Sequence, residues 1–211
     1  MSQTGGYIIN AKHSDTDSQQ NTSNNKAASP KQTKQKPVVL ITGSGGSIGS
    51  ALADSLRPDF QVVGMDRDEA DNTLLVDLTS EDSLALAFHH FRERYGDHIA
   101  AVIHLAAYFD FTGEKSPLYD EVNVKGSEKL LAALADFKVD RFIYSGTMLV
   151  HQPVTPGDKV SESTPLGPKW AYPQSKAETE ATIRQHRNGI PCTFLHLAGV
   201  YNEYNAVPTL S

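Results

Sequence analysis

Five consecutive residues, Val38-Val39-Leu40-Ile41-Thr42, run directly into Gly43-Ser44-Gly45-Gly46-Ser47-Ile48-Gly49. A short β-branched run stopped by glycines reads as a buried strand. The stretch from Ser47 to Leu56 reads as a helix, ended by Pro58. A strand that passes through a glycine turn straight into a helix is the opening of a βαβ unit. The spacing Gly43-x-x-Gly46-x-x-Gly49 gives each glycine a task. Gly43 permits the tight turn, Gly46 lets a diphosphate approach the backbone, and Gly49 lets the helix lie close to the sheet. The first turn of that helix, with Ser47 and Ile48, offers N–H groups and partial positive charge to phosphates.

The next elements extend the same pattern. Phe60 to Met65 is a second strand and Leu74-Leu75-Val76 a third. Asp66 stands at the end of the second strand, where a carboxylate accepts hydrogen bonds from an adenosine ribose and repels a 2′-phosphate. That favours NAD over NADP. The neighbouring Arg67 pulls both ways, since it can stack on adenine or meet a 2′-phosphate. Asp77-Leu78 follows the third strand as a candidate contact to the adenine edge, with a helix-start role for Asp77 as the competing reading.

Leu84, Phe88, Phe91 and Tyr95 recur at helical spacing behind Thr79 and Asp82, read as a capping box. Ala100 to Leu105 is a fourth strand. Val122, Gly126, Leu130, Leu134 and Phe137 mark one helix face. Arg141 to Ser145 is a fifth strand, Ala171 to Gln185 a helix and Cys192 to Leu197 a sixth strand. Strands alternating with helices predict an α/β fold: a Rossmann-like, doubly wound parallel sheet with helices on both faces.

Composition limits what such a fold does. The chain has 211 residues and a formal charge of −6, so no strongly basic surplus argues for nucleic acid as a partner. No apolar run reaches the ~20 residues that span a bilayer, so no membrane partner is expected. A single cysteine, Cys192, excludes an internal disulfide and reads as packing within a strand. Lacking an apolar stretch typical of a secretory signal at its start, the chain is expected to be cytoplasmic. Residues 1–36 are polar, with five lysines against two aspartates, and are expected to form a disordered tail. Residues 37–211 are then one NAD(P)-binding domain. The histidines show no metal-binding spacing, and no metal is expected.

Tyr172-Pro173-Gln174-Ser175-Lys176 supplies the chemistry. Four residues apart on a helix, Tyr172 and Lys176 share a face, and Pro173 suits the first turn. A phenol ordinarily titrates near 10. A nearby ammonium favours its anion, which makes Tyr172 a candidate proton acceptor and donor for a reacting hydroxyl. Trp170, just before the motif, reads either as a wall of the substrate pocket or as ordinary packing.

Together these motifs resemble the extended branch of the short-chain dehydrogenase/reductase superfamily, the NAD-dependent epimerases and dehydratases. The likeness runs from about Val38 to Tyr201. It is carried by Thr42 to Gly49, His104-Leu105-Ala106-Ala107, Asn123-Val124-Lys125-Gly126-Ser127, Phe142 to Thr147 and Tyr172 to Lys176. The resemblance implies that Leu105, Ala106 and Ala107 lie against the cofactor and that Asn123 steadies its helix against the active site. It implies that Thr147, rather than Ser145, binds the reacting oxygen, with Tyr172 as acid/base and Lys176 as its electrostatic partner and a hold on the nicotinamide ribose. The implied cofactor is NAD and the implied substrate a small molecule, with a sugar or nucleotide sugar as the candidate. A second copy of the chain, in a homodimer, is a further candidate partner.

The sequence departs from that pattern in three places. His196 stands where Arg is common, and Ala198 where Pro is frequent. Met148-Leu149 follow Thr147, which disfavours a 4,6-dehydratase, since that branch has Asp-Glu there. Members of the branch usually continue for roughly another hundred residues, so the substrate lobe is expected to be largely absent after the sixth strand. Three alternatives stay open: a simple ketone or aldehyde reductase, an NAD(H)-binding regulatory protein, and an inactive fragment.

Overall fold

The computed structural model describes residues 35–110 and 112–201. The tail expected over 1–36 falls outside them except for Gln35 and Lys36. Six strands form one parallel sheet: β1 (Val38–Thr42), β2 (Gln61–Asp66), β3 (Thr73–Leu75), β5 (Ala101–His104), β7 (Phe142–Thr147) and β8 (Cys192–Leu197). Their order is β3-β2-β1-β5-β7-β8. Two further short strands, β4 (His98–Ile99) and β6 (Lys138–Val139), pair with each other as a separate parallel ladder. Neither is distinct in the sequence, because two-residue strands carry no period of their own.

β1 is buried along its whole length because both of its faces are covered. Val38 and Leu40 join a core built with α2 (Glu81–Tyr95), α3 (Gly126–Ala133) and α4 (Ala171–His186). Val39 and Ile41 point the other way, into a smaller core with Ala53, Leu52 and Leu56 of α1 (Ser47–Leu56). The chain therefore winds outward twice from β1, toward β3 and then toward β8. The switch falls between the C-terminal ends of β1 and β5, the position where such sheets open a crevice.

Two local expectations are corrected. The cap of α2 is Ser80, whose side chain accepts the Ser83 N–H, rather than the Thr79/Asp82 pair. Thr79 is occupied by Asp77, which accepts both its N–H and its hydroxyl at 2.8 Å in a side-chain turn. The face read as one helix from Val122 to Phe137 is not one α-helix. Residues Tyr119–Lys125 form a π-helix, and the Gly126 N–H reaches back to Glu121 O before α3 begins. The wide turn inserts an extra residue. It places Asn123 and Gly126 inward, with Gly126 packed so closely on Leu78 that an added Cβ would lie 3.1 Å from the Leu78 Cβ. Among the described residues no helix is long and apolar enough to cross a membrane.

Candidate active site

The glycine turn is folded to hydrogen-atom clearance. Gly43 has φ +72°, and a Cβ on it would lie 2.7 Å from the Ala106 amide nitrogen. A Cβ on Gly49 would collide with Gly43 O. At Gly46 the nearest atom to an added Cβ is Gly43 O at 3.4 Å, an ordinary contact. The protein's own packing thus demands glycine at 43 and 49, while at 46 the open space faces outward. The first helical backbone bond of α1 runs from Ser50 N–H to Gly46 O at 2.9 Å. The N–H groups of Ser47, Ile48 and Gly49 precede it and have no partner within the helix. Ser44 Oγ is buried without a hydrogen-bond partner in the same turn.

Asp66 closes this cradle at the end of β2. Its Oδ2 accepts the Gly45 N–H at 2.8 Å and its Oδ1 the Arg67 N–H at 2.7 Å. Each oxygen keeps a second lone pair for a ribose hydroxyl. In the sequence Gly45 supplies in part the shorter spacing of a G-x-G-x-x-G turn, and in the structure its N–H joins the acid to that turn. Arg67 is exposed. Asp77 is largely spent on its turn with Thr79, and those hydrogen bonds hold its carboxyl below the usual range. Leu78 is buried in the core.

A polar chain joins the turn to the strand beyond it. Thr42 Oγ1 and His104 Nδ1 are 2.6 Å apart, and His104 Nε2 lies 2.8 Å from Ser127 Oγ. The Ser127 hydroxyl donates to Asn123 O, and Thr42 Oγ1 accepts the Ala106 N–H. With the Ser127 hydroxyl donating to Asn123 O, His104 Nε2 carries the proton that reaches Ser127 Oγ. Burial, with the charge of Lys176 adding to it, pushes His104 down to about 3. In the sequence His104 is only one member of a motif, with no role of its own.

Asn123 ties the two halves together. Its Oδ1 accepts the Tyr108 N–H at 2.6 Å, and its Nδ2 donates to Tyr108 O and to Ser175 Oγ. Ser175 in turn donates to Tyr172 O at 2.8 Å. The segment carrying Leu105, Ala106 and Ala107, which packs against Gly43, is thereby fastened to the first turn of α4. Pro173 sits in that turn, where its missing N–H costs nothing.

Lys176 is buried, with its Nζ 4.5 Å from the centre of the Tyr144 ring. Desolvation pushes it down to about 7. Burial, and then the neighbouring Tyr119, push the Tyr172 phenol above its ordinary value. In the protein alone, Tyr172 is thus a proton donor. Thr147 is buried as the last residue of β7, and its Oγ1 accepts the Leu149 N–H at 3.3 Å. Ser145 lies in the same strand, partly exposed.

The arrangement fits a dinucleotide. Gly43, Gly46, Ser47, Ile48 and Gly49 would receive the diphosphate, and Asp66 the ribose.

Comparison with known proteins points the same way. The family model described as the NAD dependent epimerase/dehydratase family matches residues 39–209. An undecaprenyl-diphosphate-linked N-acetylglucosamine 4-epimerase of Escherichia coli O157:H7 is 26% identical over 180 residues, covering 79% of this chain and 50% of that protein. The L-arabinose 1-dehydrogenase (NAD(P)(+)) of Haloferax volcanii is 28% identical over 116 residues, covering 54% of this chain and 42% of its own length. The crystal structure of the Thermus thermophilus UDP-glucose 4-epimerase in complex with NAD superposes with a TM-score of 0.64 at 26% identity, covering 75% of this chain and 54% of that one. The chain spans about half the length of the curated relatives it matches.

Proposed function

The chain belongs to the NAD-dependent epimerase/dehydratase family, and from that premise we propose that it binds NAD in the β1/β5 crevice and interconverts a hydroxyl and a carbonyl on a sugar or nucleotide sugar. When bound, NAD would supply the oxidising and reducing equivalents. The protein's part is positioning and proton transfer. On this reading residues 37–211 form the NAD-binding unit and 1–36 a polar tail.

Tyr172 carries the proton. Raised by burial, the phenol is set to donate to a carbonyl oxygen, and oxidation of a hydroxyl requires its anion. A cation near the ring favours that anion, which is the task assigned to Lys176. Thr147 would hold the reacting oxygen by its hydroxyl while its own oxygen accepts the Leu149 N–H. The observation that carries the proposal is the Asn123 link: one buried amide bonds the segment behind the glycine turn to the helix turn that holds Tyr172.

The test is a panel of nucleotide sugars and free sugars incubated with NAD and followed by reduced-cofactor absorbance and product analysis. Turnover in the native chain, with a loss of roughly 100-fold or more in Tyr172→Phe and little change in NAD affinity, is the expected result. Unchanged turnover in Tyr172→Phe would remove the phenol from the chemistry. Similarity to an L-arabinose 1-dehydrogenase favours a second reading, net oxidation of a sugar without epimerisation. Stoichiometric accumulation of reduced cofactor would select it.

A further inference from the structure

We propose that His151 and His196 share one extra proton, and that this proton latches the segment after Thr147 and the segment leading to Tyr172 onto β8 and α4. The two histidines are positioning residues, and their bearing on catalysis rests on the roles given to Thr147 and Tyr172 above.

The proton count follows from the contacts. His151 Nδ1 lies 2.9 Å from Thr164 O. A carbonyl only accepts, so His151 Nδ1 carries a proton. His196 Nε2 lies 2.8 Å from Glu180 Oε2, and the other oxygen of that carboxylate accepts from Arg184 Nη2 at 2.6 Å. Although burial opposes its charge, bonds from His196 and Arg184 hold Glu180 below the usual carboxylate range. An ionised Glu180 only accepts, so His196 Nε2 carries a proton too. Between the rings, His151 Nε2 and His196 Nδ1 stand 2.8 Å apart. Two lone pairs at that distance repel, so the contact holds a further proton. Three protons on four ring nitrogens make the pair one imidazole and one imidazolium. The pair is poorly hydrated: His151 is 9% exposed, and the side chains of His196 and Glu180 are 22% and 12% exposed. The other ionisable side chains around it, among the described residues, are Arg184 of α4, Glu162 of the segment before Thr164 and Tyr144 of β7 behind Phe194.

What the pair holds together lies on both flanks of the proposed chemistry. His151 follows the short turn Met148–Val150, which begins directly after Thr147, and its N–H donates to Met148 O. It forms an antiparallel bridge with Leu166, flanked by Gln152 N–H to Pro165 O at 2.9 Å and Gly167 N–H to Val150 O at 2.8 Å. Residues 164–167 then lead to α4, whose second residue is Tyr172. His196 anchors the unit on β8, opposite Gly146, where an added Cβ would lie 2.9 Å from its ring. When the shared proton passes to water, the N–H···N bond is lost and one ring must turn away. The latched form holds the additional proton, so it is favoured as pH falls and released as pH rises. The stability set by His104 and Lys176 changes with pH in the opposite direction, which keeps the two effects separable.

The full chain labelled with [15N]histidine is followed by long-range 1H–15N correlation from about pH 5.5 to 9, with His151→Phe and His196→Arg identifying the two rings. At the acid end the rings should carry three protons between them, where two unlinked imidazoles would reach four, and both should lose the shared proton in one common transition. Protection of the Gln152 and Gly167 amides, corrected for intrinsic exchange, should fall at least tenfold across the same range. His196→Arg, which keeps donors toward Glu180 and His151 and a permanent charge, should hold that protection constant. Four protons or two at the acid end, separate transitions at the two rings, or protection that ignores pH in the native chain would overturn the latch; so would an equal pH dependence in His196→Arg. The native measurements decide alone if a variant does not fold. Turnover then separates the latch from the function: the ratio of kcat in His196→Arg to kcat in the native chain should rise with pH. A flat ratio beside a working latch contradicts its bearing on catalysis, whereas a working latch in a chain without turnover counts against the proposed function and leaves the latch standing.

Discussion

His104 and Lys176 are buried bases with opposite consequences for function. His104 is held neutral, pushed down to about 3 by burial and by Lys176. An unfolded chain binds a proton at His104 near pH 6.5 and the native chain does not, so stability is lost as pH falls from about 6.5 toward 3. The slope should approach about 1.4 kcal/mol per pH unit, and urea titrations of native protein and His104→Asn at pH 7 and 5 measure it: the variant should lose less between the two. Lys176, pushed down to about 7, has the same sign in a different window. The unfolded chain holds its proton up to about 10.5, so the cost of burying the charge is felt in full below about 7 and eases as pH rises toward 10.5. Lys176→Met should therefore stabilise the cofactor-free protein by roughly 0.5–2 kcal/mol while destroying turnover, the exchange expected of a functional strain. A variant that is both active and no more stable would contradict it. At Asp66 the prediction concerns the ligand: Asp66→Ala should weaken NAD more than NADP by calorimetry, and an equal loss for both would show that the carboxylate does not read the ribose.

At the scale of elements, β1, the glycine turn, α1 and α4 are legible in the sequence because their signals are local. A β-branched run, glycines at set spacing and a Tyr-x-x-x-Lys step are each short, contiguous patterns. What escapes such reading is built across the chain. The π-helical turn over Tyr119–Lys125 has the same apolar spacing as an α-helix when read from Val122 onward, and only contacts to Tyr108 and Ser175 show why it is wide. Removing that bridge in Asn123→Ala strands three polar groups on two segments, at Tyr108 and Ser175, and should cost about 2–3 kcal/mol, with NAD affinity and the Tyr172 turn both affected. Ser175→Ala, which removes one arm, should cost less. The same limit hides a second polar chain, in which His151 Nε2 lies 2.8 Å from His196 Nδ1 and His196 Nε2 lies 2.8 Å from Glu180. Its members are far apart in sequence and join the segment after β7, β8 and α4. Desolvation of Glu180 opposes its charge, but hydrogen bonds from His196 and Arg184 outweigh it and hold the carboxyl below the usual range. That contribution is present above pH 4.5 and fades as pH falls below it. Glu180→Gln should flatten the acid limb of a thermal-melt profile below about pH 4.5 and leave its neutral plateau lower.

For the molecule as a whole, the sheet order makes the two halves of the site neighbours. β1 delivers the glycine turn, β5 delivers Leu105 to Ala107 beside it, and β7 brings Thr147 to the same end of the sheet. The doubly wound plan follows from strand and helix alternation alone, because parallel strands need crossovers and crossovers cover both faces. The aromatic cluster is not legible in the same way: Phe109, Tyr119, Trp170 and Tyr172 meet only after folding. Everything rests on the crevice between β1 and β5 receiving a dinucleotide. Calorimetric titration of the full chain with NAD decides it. Saturable one-to-one binding that Gly49→Val abolishes is the predicted result; absence of binding by native, correctly folded protein, or binding that Gly49→Val leaves intact, would contradict it.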